Sequence, residues 1–163
     1  MGFFNKKNKE GNIATKMMYM SGIEQYNKRA NVELSLCNEN QNIQIKCKND
    51  VYPPSYIPYS RITNVGVISE KEITEKSKSV GGRAIVGGIF LGPLGAIVGG
   101  MSGISDKKIT NSRCYMVLNY ESTFGELEAI TFEPVAGNLN YFSFIEKLRE
   151  RIKIKEISKE IYL

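Results

Sequence analysis

The stretch Ala84–Ser105 limits what this chain can fold into more than any other part of it. It runs for 22 residues without a charge, in a chain otherwise rich in Asn, Lys and Glu. The motif Ala-Ile-Val-Gly-Gly occurs twice, at Ala84–Gly88 and Ala96–Gly100, with Gly92-Pro93 between the copies. One helix of that length would measure about 33 Å, close to the thickness of a bilayer core. Gly92-Pro93 breaks or kinks such a helix near its midpoint. The repeat instead divides the run into two arms of about ten residues, each roughly 15 Å long as helix.

The flanks read as strands. Met17-Met18-Tyr19-Met20 is a short apolar run ending at Ser21-Gly22. Val32, Leu34 and Leu36 alternate with polar residues, as do Ile43, Ile45 and Cys47, around the turn-forming Asn38-Glu39-Asn40-Gln41-Asn42. That pattern predicts a β-hairpin with one wet face. Pro53, Pro54 and Pro58 exclude a central strand and predict a rigid extended loop leading into a strand near Tyr59–Val65. Cys114–Tyr120 reads as a central strand, and Leu127–Glu133 as another whose apolar phase shifts at Ala129-Ile130, the signature of a bulge or a buried edge. Tyr141, Ile145, Leu148 and Ile152 recur at helical spacing after Asn138 and Asn140, either of which suits a cap. The expected class is therefore mainly β (α+β): six or seven short strands, then one amphipathic helix.

Strand order and closing helix resemble the pleckstrin-homology-like (PH-like) fold, a bent antiparallel barrel shut by a C-terminal helix. In particular the chain resembles bacterial PH-like proteins with a glycine-rich (glycine-zipper) hydrophobic insertion. The resemblance rests on Met18-Tyr19-Met20-Ser21-Gly22, the hairpin Val32–Cys47, Tyr59-Ser60-Arg61-Ile62-Thr63, the segment Gly81–Gly103 and the helix Phe142–Ile152, and it covers Met17 to Ile154. It implies a flexible basic-aromatic N-terminus over 1–16, barrel over 17–78, insertion over 79–108, the last strands and helix over 109–155, and a tail over 156–163. PH-like folds host lipid, peptide and protein recognition, so the fold alone leaves the function open.

If strands on both sides of the insertion close one barrel, the insertion has to return to the side it left. A helical hairpin with its tip at Gly92-Pro93 does so, and positive residues on both flanks (Arg83 before, Lys107 and Lys108 after) suit two cytoplasmic ends. Gly88 and Gly92 form one G-x-x-x-G, and Gly95, Gly99 and Gly103 form two more. Small residues four apart let helix backbones approach closely in lipid. The expected membrane or self-association residues are Ile85, Val86, Gly88, Ile89, Phe90, Leu91, Gly92, Pro93, Leu94, Gly95, Ile97, Val98, Gly99 and Gly103. Phe3, Phe4, Lys6, Lys7, Lys9, Arg83, Lys107 and Lys108 are the expected membrane-surface residues, rings inward and ammonium groups on phosphate. The competing reading is a soluble hairpin packed on its own barrel or in an oligomer core. Tyr52, Tyr56 and Tyr59 form a candidate partner surface, with core packing and edge covering as the alternative.

Other classes find little support. The chain has no histidine, which removes the commonest general base and most catalytic metal sites. Cys37, Cys47 and Cys114 stand far apart without a C-x-x-C pair, so neither zinc nor another cofactor is expected. No phosphate-binding G-x-x-x-x-G-K-[ST] is present. Lys and Arg are mixed with Glu, without a basic stripe interleaved with aromatics, so nucleic acid is not an expected partner. Met1–Lys7 has no secretory apolar region, and the odd cysteine count suits reduced thiols. Heavy use of Asn, Lys and Ile suits an AT-rich bacterial or phage genome. The sequence thus points to a non-enzymatic protein peripheral on the inner face of the cell membrane, a homo-oligomer with lipid and protein or peptide as partners. A soluble oligomeric peptide-binding module and a membrane-permeabilising effector are the alternatives.

Overall fold

The computed structural model describes residues 6–49, 51–79, 83–93 and 113–159. Seven strands form one antiparallel sheet: β1 (Ile13–Ser21), β2 (Asn31–Cys37), β3 (Asn42–Cys47), β4 (Ser55–Pro58), β5 (Ile62–Ser69), β8 (Cys114–Glu121) and β9 (Leu127–Pro134). Their spatial order is β4-β3-β2-β1-β9-β8-β5. Between β5 and β8 come helix α1 (Glu70–Ser79) and a separate two-stranded sheet of β6 (Arg83–Val86) and β7 (Ile89–Pro93). Helix α2 (Asn140–Lys159) follows β9.

The sheet curls until its inner faces share one core. Met17, Leu34, Leu36, Ile43 and Ile45 from β1–β3 meet Val65, Met116, Leu118, Ile130 and Phe132 from β5, β8 and β9, all fully or almost fully buried. Helix α2 closes this core with Tyr141, Phe144, Ile145, Leu148 and Ile152. Its start is fixed by Asn138, whose Oδ1 accepts from the Asn140 N–H at 3.1 Å while its Nδ2 donates to the Lys16 carbonyl at 2.7 Å. Asn138 therefore caps the helix and ties it to β1. Further along, Arg149 donates from Nε (3.1 Å) and Nη2 (2.9 Å) to the Val65 carbonyl of β5.

The predicted hairpin is β2–β3, in register from Val32↔Cys47 to Cys37↔Asn42. The proline segment yields β4, which lies at one edge of the sheet as prolines require, and a 3-10 turn, Tyr59–Arg61, before β5. Strand β1 begins at Ile13, ahead of Met17, because Asn8 folds the chain back onto it: Asn8 Oδ1 accepts from the N–H groups of Glu10 and Asn12, and Lys7 bridges Ile13. β9 pairs with β8 without a break from Phe132 to Leu127, so Ala129-Ile130 is not a bulge; the irregularity is on β1, in its pairing with β9 between Tyr19 and Ser21.

Two expectations need correction. The first arm of the insertion, expected as helix from Ala84 to a tip at Gly92-Pro93, lies in a β-hairpin, Arg83–Pro93, that turns at Gly87-Gly88 with φ of +55° and +82°. Two adjacent left-handed residues make a type I′ turn, which only Gly-Gly and a few other pairs accept readily. Glu70–Ser79, counted with the barrel in the sequence, is helix α1 behind a capping box: the Ser69 N–H donates to Glu72 Oε2 at 2.8 Å and the Glu72 N–H to Ser69 Oγ at 3.2 Å. Its one large apolar residue, Ile73, is fully buried. The second arm of the expected hairpin lies outside the described residues.

Neighbouring phenylalanines on α2 test how far the helix acts as a lid. Phe144 is 0% exposed and Phe142 is 47% exposed. Phe144→Ala should cost about 3–5 kcal/mol by urea unfolding, and Phe142→Ala less than about 1 kcal/mol. Equal losses would mean that α2 is not seated as described.

Candidate functional site

The glycine-rich insertion begins by lying across the outer face of the sandwich. Asn64 on β5, Asn119 on β8 and Ala129 on β9 are cross-strand neighbours in one row. β7 crosses that row in steps of two residues. Asn64 Nδ2 donates to the Gly88 carbonyl at 3.2 Å. Asn119 takes both main-chain groups of Phe90: its Oδ1 accepts from the Phe90 N–H at 2.9 Å, and its Nδ2 donates to the Phe90 carbonyl at 2.6 Å. Over Ala129 the chain passes at Gly92, where an added Cβ would sit 3.4 Å from the Ala129 Cβ.

Asn119 is 2% exposed, and its carboxamide does for Phe90 what a neighbouring peptide group does in a sheet. Both amide ends are satisfied, so burial carries no unpaired polar group there. The contact reads backbone, not side chain.

Apolar packing surrounds the clamp. Ile89 and Leu91 are buried with Met20, Ile68, Ile73, Tyr115 and Val117, and Met18, Val86 and Ala129 pack at the margin. Gly66 makes the notch for Ile89, since a Cβ there would lie 2.0 Å from the Ile89 Cδ1. Glycine inside a strand marks such a close approach. At the margin of this face, beside the β1–β2 connection, a cleft of about 430 Å³ is lined by Tyr19, Met20, Gly22, Leu91, Glu126 and Ala129, among others.

Each sequence-predicted residue now has a place, where it is described. Ile89 and Leu91 are buried against the chain's own sandwich, Phe90 is buried and held there by its backbone, and Ile85 is 59% exposed on β6. Gly88 and Gly92 have φ of +82° and +70° and contact barrel residues, so within the described residues they do not form a helical G-x-x-x-G. Arg83 and Pro93 terminate the β6–β7 ribbon as a register pair. Leu94, Gly95, Ile97, Val98, Gly99, Gly103, Lys107, Lys108, Phe3 and Phe4 lie outside the described residues. Lys6, Lys7 and Lys9 are exposed beside the start of β1.

The three tyrosines do not share an open surface. Tyr59 is a core residue, 4% exposed, with the Arg151 guanidinium 6.0 Å from its ring centre. Tyr52 stacks on Tyr26 at 5.5 Å, while Tyr56 is exposed and accepts from Gln44 Nε2. Cys37 and Cys47 are buried at the ends of β2 and β3, where burial pushes both thiols up. Among the described residues no group of three His, Cys, Asp or Glu side chains is placed to hold a metal. No helix among them is long and apolar enough to cross a membrane. Asn64, Gly66 and Asn119 are the residues that seat the insertion and that the sequence reading passed over. A glycine inside β5 and one asparagine in the apolar run Cys114–Tyr120 were their signals.

An antiparallel sandwich shut by a C-terminal helix, with an apolar glycine-rich segment seated between its fifth and sixth sheet strands, defines a PH-like domain with an insertion. Such domains are protein or lipid interaction modules and are typically non-catalytic. The sequence pattern of the family described as "glycine zipper containing PH domain" matches residues 21–132, well over half of the chain, and the chain belongs to that family. This agrees with the resemblance seen in the sequence. No curated protein matches the chain.

Two experiments probe this face. Gly66→Val should evict Ile89 from its notch and cost about 1–3 kcal/mol by chemical denaturation. Adding Ile89→Ala should restore at least half of that loss; a purely additive double variant would place Ile89 elsewhere. Burial raises Tyr115, with Glu133 and Glu70 adding to it, and burial raises Tyr59 against the lowering effect of Arg151, each to about 12 from 10.0. The folded state therefore holds these two protons after the unfolded state has lost them. Stability is full below pH 10 and falls as pH rises from about 10 to about 12. Their phenolate absorbance should appear last, together with the loss of folded signal. Early titration of either would contradict its burial.

Proposed function

We propose that this chain is a non-enzymatic, membrane-associated interaction protein on the cytoplasmic face of the cell membrane. In this reading the sandwich is the adaptor, and its uncharged glycine-rich segment engages lipid or further copies of the chain. The observation that supports it most is the seat of β7: Asn64, Asn119 and Ala129 hold the root of the segment at a defined place on the sandwich. A root held by its backbone fixes where the uncharged segment leaves the sandwich, which a flexible tether would not give. Lys6, Lys7 and Lys9, with Phe3 and Phe4 before them, add an aromatic-basic element suited to anionic headgroups, at about 1 kcal/mol per cation near such a surface.

A second reading has its own support. Burial of Ile89 and Leu91 against the sandwich favours a soluble module in which the rest of the insertion builds an interface between copies.

Deletion separates the two if it spares the docked ribbon. Removing all of Gly82–Ser105 would strip the cover from Met20, Ile68, Tyr115 and Val117 and so confound the result. Removing Leu94–Ser105 leaves β6 and β7 in place. Sedimentation with vesicles of phosphatidylglycerol and phosphatidylcholine should then drop at least about tenfold, with the melting temperature changed by only a few degrees. A wild-type protein that is monomeric and never sediments would defeat the membrane reading. A soluble wild-type oligomer that collapses on deletion would establish the second reading instead.

A further inference from the structure

We infer that the acidic cleft beside the start of β9 takes an extended peptide in which cationic and aliphatic residues alternate, and that this peptide adds to β9 as a short strand. The inference rests on the sandwich being an interaction module, supplies the chemistry of its partner, and is independent of lipid.

The opening arises where two strands part. β9 pairs with β8 as far as Leu127, but with β1 only as far as Thr131. β1 ends at Ser21, and Gly22 passes so close to the Ala129 carbonyl that an added Cβ would collide with its oxygen. Leu127 is left beyond the end of β1, and its main-chain groups face the gap. The Ser122 N–H donates to the Glu126 carbonyl at 2.7 Å, which makes residues 122 and 126 a hydrogen-bonded pair. Such pairs alternate with non-bonded ones along an antiparallel ladder. The next pair, Glu121↔Leu127, is therefore a non-bonded one, and the N–H and C=O of Leu127 point away from β8. The Ala129 carbonyl, two residues on, points the same way, at Gly22. On that side lies the cleft of about 430 Å³. The end strands of the sheet are guarded instead: Arg149 takes the Val65 carbonyl of β5, and β4 closes on Pro58.

Side chains alternate around the gap. Glu126 and Glu128 lie on one face, and Leu127 and Ala129 on the other, with Met20 and Leu91 also lining the cleft. Glu24 of the β1–β2 connection brings a third carboxylate, against one cation, Lys28. Among the described residues none of the three carboxylates is in an ion pair. Leu127 is exposed, and so is Phe124 on the β8–β9 turn. An added strand sets each side chain beside one on the same face of its neighbour. Residues on the Leu127 face are then aliphatic, and those on the face of Glu126 and Glu128 are Lys or Arg. In a chain of net charge +5, this local acidity turns away the anionic partners that the rest of the surface attracts.

The test uses the full chain without vesicles, so its failure leaves the membrane reading standing. The probe is a fluorescein-labelled hexapeptide of alternating Lys and Val, followed by fluorescence anisotropy. It should bind at least about tenfold more tightly than the matching Glu–Val hexapeptide. Glu126→Lys combined with Glu128→Lys should weaken it at least about fivefold, with circular dichroism confirming the fold. N-Methylated peptides separate strand addition from charge attraction and need no variant. The residue opposite Leu127 is a Val, so only the Val N–H groups aim at β9. Methylating the Val nitrogens should cost at least about tenfold in affinity, and methylating the Lys nitrogens less than about threefold. Equal effects of the two methylations would reduce the cleft to a site for cations of any shape and overturn the strand. Unchanged binding by the double variant would put the peptide elsewhere. Absence of binding at about 1 mM Lys–Val peptide would remove the site altogether.

Discussion

Strand β8 is apolar on both of its faces, and the rest of the molecule is arranged around that fact. Met116 and Leu118 point into the sandwich, while Tyr115 and Val117 point out of it, and all four are fully buried. A sheet on the surface of a small domain can leave one face wet. This one cannot, because each large apolar side chain left exposed forgoes about 1.5–3 kcal/mol of burial. The inner face is covered by the opposite half of the sheet and by α2. Among the described residues the segment between β5 and β8 covers the outer face, through Ile73 of α1 and through Ile89 and Leu91 of β7. The insertion is thus part of the core, even though it interrupts the domain.

Asn119 settles how such a cover can be held without joining the sheet. A ribbon lying across strands turns main-chain groups toward an apolar surface, and each left unpaired there costs about 1–3 kcal/mol. One asparagine aimed outward from β8 supplies an acceptor and a donor at the spacing of a peptide group, and Phe90 uses both. Asn64 repeats half of the arrangement at Gly88. Recognition through the backbone places few demands on the side chains of β7. The demands fall on fit: Gly66 must be small for Ile89 to enter, and Gly92 passes close over Ala129.

Much of the sandwich was legible because its signals are local. Alternation over Val32–Cys47 gave the β2–β3 hairpin, and helical spacing from Tyr141 to Ile152 gave α2. The uniform apolarity of Cys114–Tyr120 gave a central strand, though not the reason for it, since periodicity reports that both faces are buried without saying by what. Helix α1 was illegible by periodicity because Ile73 is its one large apolar residue, and only the Ser69–Glu72 capping box announced it. The insertion was misread over its first arm because G-x-x-x-G spacing drew attention from a stronger local signal. Gly87-Gly88 stands between Ala-Ile-Val and Ile-Phe-Leu, two β-branched or aromatic runs around a two-residue type I′ loop. The Asn119 clamp is a long-range contact between residues 29 apart, and no local pattern encodes it.

The glycines of the β6–β7 ribbon stand where alanine would not serve. In the docked ribbon Gly87, Gly88 and Gly92 have φ of +55°, +82° and +70°. An L-residue with a Cβ pays a steric cost at such angles, so alanine would work against the turn. Glycine populates both signs of φ about equally and takes these angles without that cost. Its helix penalty of about 1 kcal/mol per position adds to the preference of this stretch for a turn over a helix. The clamp at Asn119 and the notch at Gly66 then hold the ribbon so formed on the outer face of the sandwich.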